Sequence, residues 1–76
     1  MSLGDNIKTA RENHGYTQAE FADMIGVKQP TFSQYETSAK TPNMITGVKI
    51  ANLLGVTSEE LVSGDFSRKE YNHAKG

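Results

Sequence analysis

The chain has 76 residues, a formal net charge of −1 and no cysteine. This length fits one domain near the lower limit of what folds without covalent or metal cross-links, and the lack of cysteine excludes disulfides and a thiolate zinc site. Since no apolar run approaches the ~18 residues of a membrane span and no signal peptide is recognisable, we expect a soluble, cytoplasmic domain without membrane contact.

The first predicted element is a helix that runs from about Leu3 or Asp5 to His14. Gly15 follows it as a C-terminal stop, and a basic residue at His14 suits the negative end of the helix dipole. One face of this helix carries Ile7, Ala10 and Arg11.

A second helix is predicted to begin at Gln18 and to end at Gly26. Thr17 and Glu20 have the Thr-x-x-Glu spacing of a capping box, and Gly26 can adopt a positive φ. The 3–4 spacing of a buried stripe is present at Phe21, Ala22 and Ile25.

A third, short helix follows after about three residues. Proline disfavours the α conformation in the residue before it but suits the first helical position. We therefore expect Gln29 as the cap, Pro30 as the first helical residue and an end near Ser38. On a helical wheel the aromatic residues Phe32 and Tyr35 lie opposite an uncharged face formed by Pro30, Ser33, Gln34 and Thr37.

The fourth helix is predicted to follow an Asn43 cap and to end at Gly55. Glycine inside this helix, at Gly47, costs roughly 1 kcal/mol of helix propensity, and we expect the bulky Phe32 to fill the space beside it. The core stripe is expected at Met44, Val48, Ala51 and Leu54, with Ile50 flanking it.

A short fifth helix is predicted after a cap at Thr57 or Ser58, and it ends at Gly64. Because every predicted element is a helix, the fold class is all-α. The polar remainder has Phe66 and Tyr71 as candidate anchors. We therefore divide the chain into a domain at residues 1–64 and a polar C-terminal tail at residues 65–76.

The spacing of residues 18–37 indicates a helix-turn-helix. Two helices that cross steeply through a three-residue turn need a small residue where the backbones approach and a φ-tolerant residue in the turn. Ala22 and Gly26 meet these two requirements. The pattern also needs five inward apolar positions, which are Phe21, Ile25, Val27, Phe32 and Tyr35.

Four stretches together, IKTAREN, GYTQAEFADMIGVKQPTFSQYE, KTPN and VKIANLLGVTSEEL, cover roughly residues 7–64. In these stretches the chain resembles the helix-turn-helix domain of the phage-repressor and Cro family, also called the xenobiotic-response-element family. The resemblance implies a compact five-helix bundle of the lambda-repressor-like DNA-binding type. In that family the third helix enters the major groove of double-stranded DNA.

The resemblance implies a set of residues that read base edges. Glutamine can pair bidentately with adenine, serine can bond either type of edge, and a proline ring can contact a thymine methyl group. Considered alone, these side chains are best interpreted as ordinary solvated helix positions; the helix-turn-helix frame is what favours base reading. The candidates are Gln29, Pro30, Ser33 and Gln34.

A second set is expected at phosphates or groove walls, where contacts position the domain. Gln18 occupies the family position whose amide and backbone N–H meet the phosphodiester chain, aided by the positive end of the helix. The remaining candidates flank the third helix: Lys28, Thr31, Thr37, Ser38, Lys40 and Thr41.

Arg11 and Glu36 match two family positions that pair between the first helix and the end of the third. A partly buried pair of this kind fixes geometry more reliably than it adds stability. We expect it to set the angle of the reading helix. Ser38 stands where the family often has glycine, so a positive φ at this residue would be mildly strained.

The charge is unevenly distributed along the chain. A net charge of −1 argues mildly against nucleic acid, because phosphate binders usually carry excess lysine and arginine. Residues 26–50, however, contain one acid, Glu36, against three lysines, so a modest positive face is possible. These lysines are Lys28, Lys40 and Lys49.

Three function classes follow from these features. The first is a sequence-specific transcriptional regulator of double-stranded DNA, with repression as the expected mode. It would act as a homodimer on an inverted repeat, because one reading helix covers too few base pairs for high selectivity. The dimer surface is expected on the fourth and fifth helices and the tail, with the candidates Leu53, Val62 and Phe66.

The second class is an antitoxin or antirepressor-like module that shares the fold and binds a protein partner. The third class, an enzyme, is disfavoured because no phosphate, metal or nucleophile motif is present. His14 and His73 are far apart and lack a helical i, i+4 partner, so we expect no metal site and no cofactor.

Overall fold

The computed structural model describes residues 2–66, and that part of the chain contains five α-helices. They are α1 (Leu3–Asn13), α2 (Gln18–Ile25), α3 (Gln29–Glu36), α4 (Met44–Leu54) and α5 (Ser58–Ser63). The all-α, five-helix prediction is confirmed. Over residues 2–66, no helix has the length and apolar character needed to cross a membrane.

Most helix ends lie where local sequence signals predicted them. Thr17 and Glu20 form the predicted capping box of α2, in which the Thr17 hydroxyl accepts from the Glu20 N–H at 3.0 Å. Asn43 caps α4 by accepting from the Thr46 N–H at 2.8 Å. These bonds satisfy N–H groups that have no partner within the helix.

The hydrophobic core lies between the inward faces of the helices. The Phe21 ring of α2 and the Phe32 ring of α3 pack with their centroids 5.3 Å apart, and Tyr35 meets Phe32 edge-on at 6.3 Å. Because α3 has only eight residues, these aromatic contacts fix much of its position. The largest apolar side chains with almost no exposed surface are Phe21, Phe32, Ile7, Ile50 and Leu54.

The core stripe predicted for α4 is wrong at two positions. Met44 is 84% exposed and Val48 is 43% exposed. α4 carries apolar residues on more than one side, so a hydropathy pattern alone does not identify the side that is buried. The buried residues of α4 are Ile50, Ala51 and Leu54.

Phe32 does not fill the space beside Gly47, so that expectation is also wrong. Phe32 lies on the face of α3 that packs against Phe21, and a Cβ built on Gly47 meets no atom within 4 Å. The space beside Gly47 is instead part of an open apolar groove. Its apolar lining includes Leu3, Pro42, Met44, Val48, Leu61 and Val62.

We expect Gly47→Ala to stabilise the protein by up to ~1 kcal/mol, because alanine favours a helix and its methyl group meets open space. Urea unfolding followed by circular dichroism measures this change. Gly55→Ala is the matched control: its Cβ also meets no atom within 4 Å, but its φ of 71° strains any side chain. Loss of stability in Gly47→Ala would contradict the open groove.

A buried amide joins α1 to α5, which the sequence did not predict. Asn6 is 1% exposed, and its Nδ2 donates to the carbonyls of Leu61 at 2.8 Å and Val62 at 3.0 Å. These carbonyls lie in the last turn of α5, where no intrahelical donor is available. Asn6 therefore acts as a C-terminal cap supplied by another helix.

Chain contacts continue beyond the predicted domain end at residue 64. Phe66, placed in the tail by the sequence, packs against the core as a half-buried side chain. Tyr71, the other candidate anchor, lies outside the described residues. The division at residue 64 stays a prediction.

Candidate nucleic-acid interface

The turn between α2 and α3 has the three residues that the helix-turn-helix spacing predicted, residues 26–28. Gly26 has a φ of 77°, a left-handed conformation that L side chains rarely adopt. The Val27 N–H then donates to the Ala22 carbonyl at 3.0 Å. This bond closes the end of α2 and sets the direction in which the chain enters α3.

The helix α3 begins one residue earlier than predicted, so the assignment of Gln29 as its cap is wrong. Lys28 is the N-cap: its carbonyl accepts the first helical bond, from the Phe32 N–H at 3.0 Å. Gln29 is the first helical residue and Pro30 the second. Proline is tolerated there because the first N–H groups of a helix have no intrahelical acceptor.

The four candidate base-reading residues lie on the outer side of α3. Gln29, Pro30 and Gln34 are exposed, and Ser33 is half-buried. Phe32 and Tyr35 lie on the inner side and are buried. The helix therefore presents uncharged hydrogen-bonding groups outward while its aromatic residues hold it to the body.

A buried ion pair connects the end of α3 to α1. Arg11 Nε donates to Glu36 Oε2 at 2.6 Å and Arg11 Nη2 to Glu36 Oε1 at 3.2 Å, the two-pronged geometry of a guanidinium on a carboxylate. Arg11 Nη1 also donates to the Tyr16 carbonyl at 2.6 Å. The pair expected between these helices is formed, and both side chains are buried.

The Arg11 guanidinium keeps its positive charge across neutral pH. The hydrogen bond to Glu36 raises the pKa of the Arg11 guanidinium, although desolvation by burial opposes the rise. Because the pKa of Arg11 is higher in the folded state than in the unfolded state, its charge stabilises the fold fully at any pH below the unfolded pKa. This stabilisation is lost as the pH rises through the folded pKa. The contribution from Arg11 is therefore constant across neutral pH.

Gln18 joins this ion pair from the first residue of α2. Its Nε2 donates to Glu36 Oε1 at 2.8 Å. The side chain that the resemblance places at a phosphate is thus held by the last residue of α3. The sequence did not reveal this link, because Gln18 and Glu36 are 18 residues apart.

The other candidates for phosphate or groove-wall contact lie at the two ends of α3. After its C-terminus, Ser38 has a φ of 67°, the positive value expected at this position, and this conformation is strained for a residue with a side chain. The Lys40 N–H donates back to the Gln34 carbonyl at 3.2 Å. Thr31 is half-buried, and the exposed candidates are Lys28, Thr37, Ser38, Lys40 and Thr41.

Burial changes the charge that residues 26–50 present to solvent. Their one acid, Glu36, is 5% exposed and paired with Arg11. Their three lysines, in contrast, are all exposed. The surface formed by this segment is therefore more positive than the net charge of −1 suggests, which favours an anionic partner.

One further contact with α3 was missed by the sequence reasoning. Gly4, in the first turn of α1, is buried against the last turn of α3, where an added Cβ would lie 2.6 Å from the Tyr35 carbonyl oxygen. A glycine within a predicted helix can mark such a close approach. That signal was present in the sequence, but it does not identify the neighbouring element.

Comparison with known proteins gives a family and several relatives. A family model described as helix-turn-helix (HTH_3) matches residues 7–61. The chain is 37% identical over 70 residues to the HTH-type transcriptional regulator ImmR of Bacillus subtilis, covering 92% of this chain and 55% of ImmR. It is 36% identical over 52 residues to the antitoxin HipB of Escherichia coli K12, covering 68% of this chain and 59% of HipB. The chain thus spans less than two thirds of the length of these relatives.

Solved structures of the P22 c2 repressor have a similar fold. One is a crystal structure of that repressor in complex with synthetic operator 9T, with a TM-score of 0.79 and 28% identity over 86% of this chain and 98% of the repressor chain. The other is the solution structure of the DNA-binding domain of that repressor, with a TM-score of 0.82 and 28% identity over 90% of each chain.

Proposed function

Since the chain belongs to the helix-turn-helix family of the phage-repressor type, we propose that it is a sequence-specific double-stranded DNA-binding protein that represses transcription. The observation that carries this proposal is the outer face of α3. It presents exposed amide groups and a half-buried hydroxyl, and residues 26–50 expose lysines but no carboxylate. Such a face suits base edges in the major groove, between two rows of phosphates.

We assign base reading to the outer face of α3 and backbone contacts to its two ends. Gln29 and Gln34 carry amides that can pair bidentately with adenine, Ser33 can bond either type of base edge, and Pro30 can contact a thymine methyl group. Gln18 and the residues flanking α3 position the domain on the phosphates. Those flanking residues are Lys28, Thr31, Thr37, Ser38, Lys40 and Thr41.

The protein acts as a homodimer on an inverted repeat in this proposal. Two reading helices multiply the selectivity of one, and the half-sites lie roughly 10 bp apart, one helical turn. Of the three residues first considered for the dimer surface, Leu53 and Phe66 pack against the core, whereas Val62 is 65% exposed. Val62 borders the apolar groove beside Gly47 together with the exposed Met44, so the groove is the better candidate.

Selection from a library of random duplex DNA tests the proposal. We expect a palindromic sequence, and we expect Gln34→Ala to relax one position in each half-site, at a cost of about 1–3 kcal/mol in affinity for the original sequence. Asn52→Ala is the matched control, since Asn52 is an exposed amide on α4 and its removal should leave the selected sequence unchanged. Recovery of no preferred sequence would contradict the proposal.

A protein-binding module is the second candidate function, favoured by the similarity to the antitoxin HipB and by the exposed apolar residues of α4 and α5. The DNA selection distinguishes the two functions, since a module that binds only a protein partner should enrich no preferred duplex. In either case we propose a cytoplasmic protein without catalytic activity or cofactor.

A further inference from the structure

Backbone atoms of the last turn of α3 lie against Gly4, in the first turn of α1. A Cβ built on Gly4 would lie 2.6 Å from the Tyr35 carbonyl oxygen, 2.8 Å from the Glu36 carbonyl carbon and nearer still to the Glu36 carbonyl oxygen. Real Cβ atoms essentially never come within 3.0 Å of such atoms. Backbone atoms cannot turn aside as the end of a flexible side chain can, so a side chain at Gly4 forces the two helices apart.

Glu36 is held by α1 at two separate points. Its carbonyl lies against Gly4, and its carboxylate accepts hydrogen bonds from Arg11. Gly4 and Arg11 are seven residues apart on one helix face, or roughly 10 Å along the axis, and the fully buried Ile7 lies between them on that face. One contact would leave the end of α3 free to pivot, whereas two fix both its distance and its direction.

We infer that Gly4 is a positioning residue for DNA recognition. Its missing side chain lets α3 pack close to α1, and this position of α3 is the one from which Gln29, Ser33 and Gln34 reach base edges. This inference rests on the proposed function of α3. Gly4 itself is buried and acts through the backbone of Tyr35 and Glu36.

The expected consequence is a loss of selectivity rather than of all binding. A Cβ at Gly4 fits only if the ends of the two helices move apart, since backbone atoms lie within 3.0 Å of its position. Hydrogen bonds to base edges need donor–acceptor distances of about 2.7–3.2 Å, so a displaced α3 loses them. Lysine side chains on phosphates are long and flexible, so Lys28 and Lys40 can follow a displaced backbone. Contacts that carry sequence information are therefore lost first.

The test is the affinity of Gly4→Ala for the selected duplex and for a scrambled duplex of equal length and composition. We expect at least ~10-fold weaker binding to the selected duplex, equivalent to losing one good base contact, and less than ~3-fold change for the scrambled one, where phosphates dominate. Thr9→Ala is the control: it also places an alanine in α1, at an exposed position, and should bind both duplexes like the parent.

Folding is measured on the same samples. Circular dichroism at low temperature verifies that Gly4→Ala is folded, and amide NMR should show shifts at the end of α3, from Tyr35 to Ser38. If Gly4→Ala is too unstable, the double variant Gly4→Ala/Thr9→Ala regains stability through the better helix propensity of alanine in α1 and is assayed instead.

Two outcomes would overturn the inference while leaving the proposed function intact. One is unchanged affinity of folded Gly4→Ala for the selected duplex. The other is a set of amide shifts confined to the first turn of α1, which would mean that this turn frays and α3 keeps its place. If the parent protein prefers no duplex, the proposed function fails and the inference fails with it.

Discussion

Arg11→Met should lower the free energy of unfolding by about 3–5 kcal/mol, because it leaves the buried Glu36 carboxylate without its cation. Glu36→Gln should have an effect of the same order, since it leaves the Arg11 guanidinium buried beside a neutral group. Glu36 also accepts from Gln18 at 2.8 Å, so its charge is matched by donors from both α1 and α2. The pair therefore links α3 to two other helices.

A double-mutant cycle measured by urea unfolding tests this prediction. We expect Arg11→Met/Glu36→Gln to lose less stability than the sum of the single variants, because the double variant leaves no unpaired buried charge. Lys8→Met is the matched control, since Lys8 is an exposed cation on the same helix and should change stability by no more than about 0.5 kcal/mol. Additive losses would show that the two side chains do not interact.

Phe32→Ala should also lower the free energy of unfolding by about 3–5 kcal/mol, the range for removing a large buried aromatic side chain. Phe32 is fully buried, and its ring contacts Phe21 and Tyr35. By the usual 0.05–0.15 kcal/mol per residue, a chain of this size has a total stability of roughly 4–11 kcal/mol. One substitution on the reading helix would therefore remove much of the stability of the whole domain.

The same helix supplies the control for this second prediction. Gln34→Ala removes an exposed side chain from α3 and should change stability by no more than about 0.5 kcal/mol, although it alters DNA selection. Thermal and urea unfolding give the free energy of unfolding of both variants and so compare the inner face of α3, at Phe32, with its outer face, at Gln34. A loss below about 1 kcal/mol in Phe32→Ala would mean that Phe32 does not anchor α3, since loss of a buried phenylalanine side chain and the cavity it leaves have a much larger cost.

The helix ends and the helix-turn-helix could be predicted because their causes are local. The capping box joins Thr17 to a residue three positions away, and the left-handed Gly26 bonds to residues no more than four positions away. The amphipathic spacing of Phe21, Phe32 and Tyr35 is a property of two adjacent helices. Even the one-residue error at Gln29 is of this local kind, because proline is accepted at either of the first two positions of a helix.

The candidate site could be predicted only in part, for the same reason. The outward position of Gln29 and Gln34 follows from the helical period once the aromatic residues face inward. The burial of Glu36, which makes the surface of residues 26–50 positive, also needs Arg11 from another helix. The hydropathy pattern of α4 failed at Met44 and Val48, which are exposed, because the apolar side that is buried depends on which helices pack against α4.

The amino-acid sequence by itself determined where the helices begin and end and which face of α3 is uncharged, since propensity, capping and periodicity act over a few residues. The tertiary structure alone decided what holds that face in place: the backbone contact at Gly4, the Gln18–Glu36 hydrogen bond and the Asn6 bonds to the end of α5. Those contacts join residues 18 to 56 positions apart. Only the packing of helices that are distant in sequence brings these residues into contact.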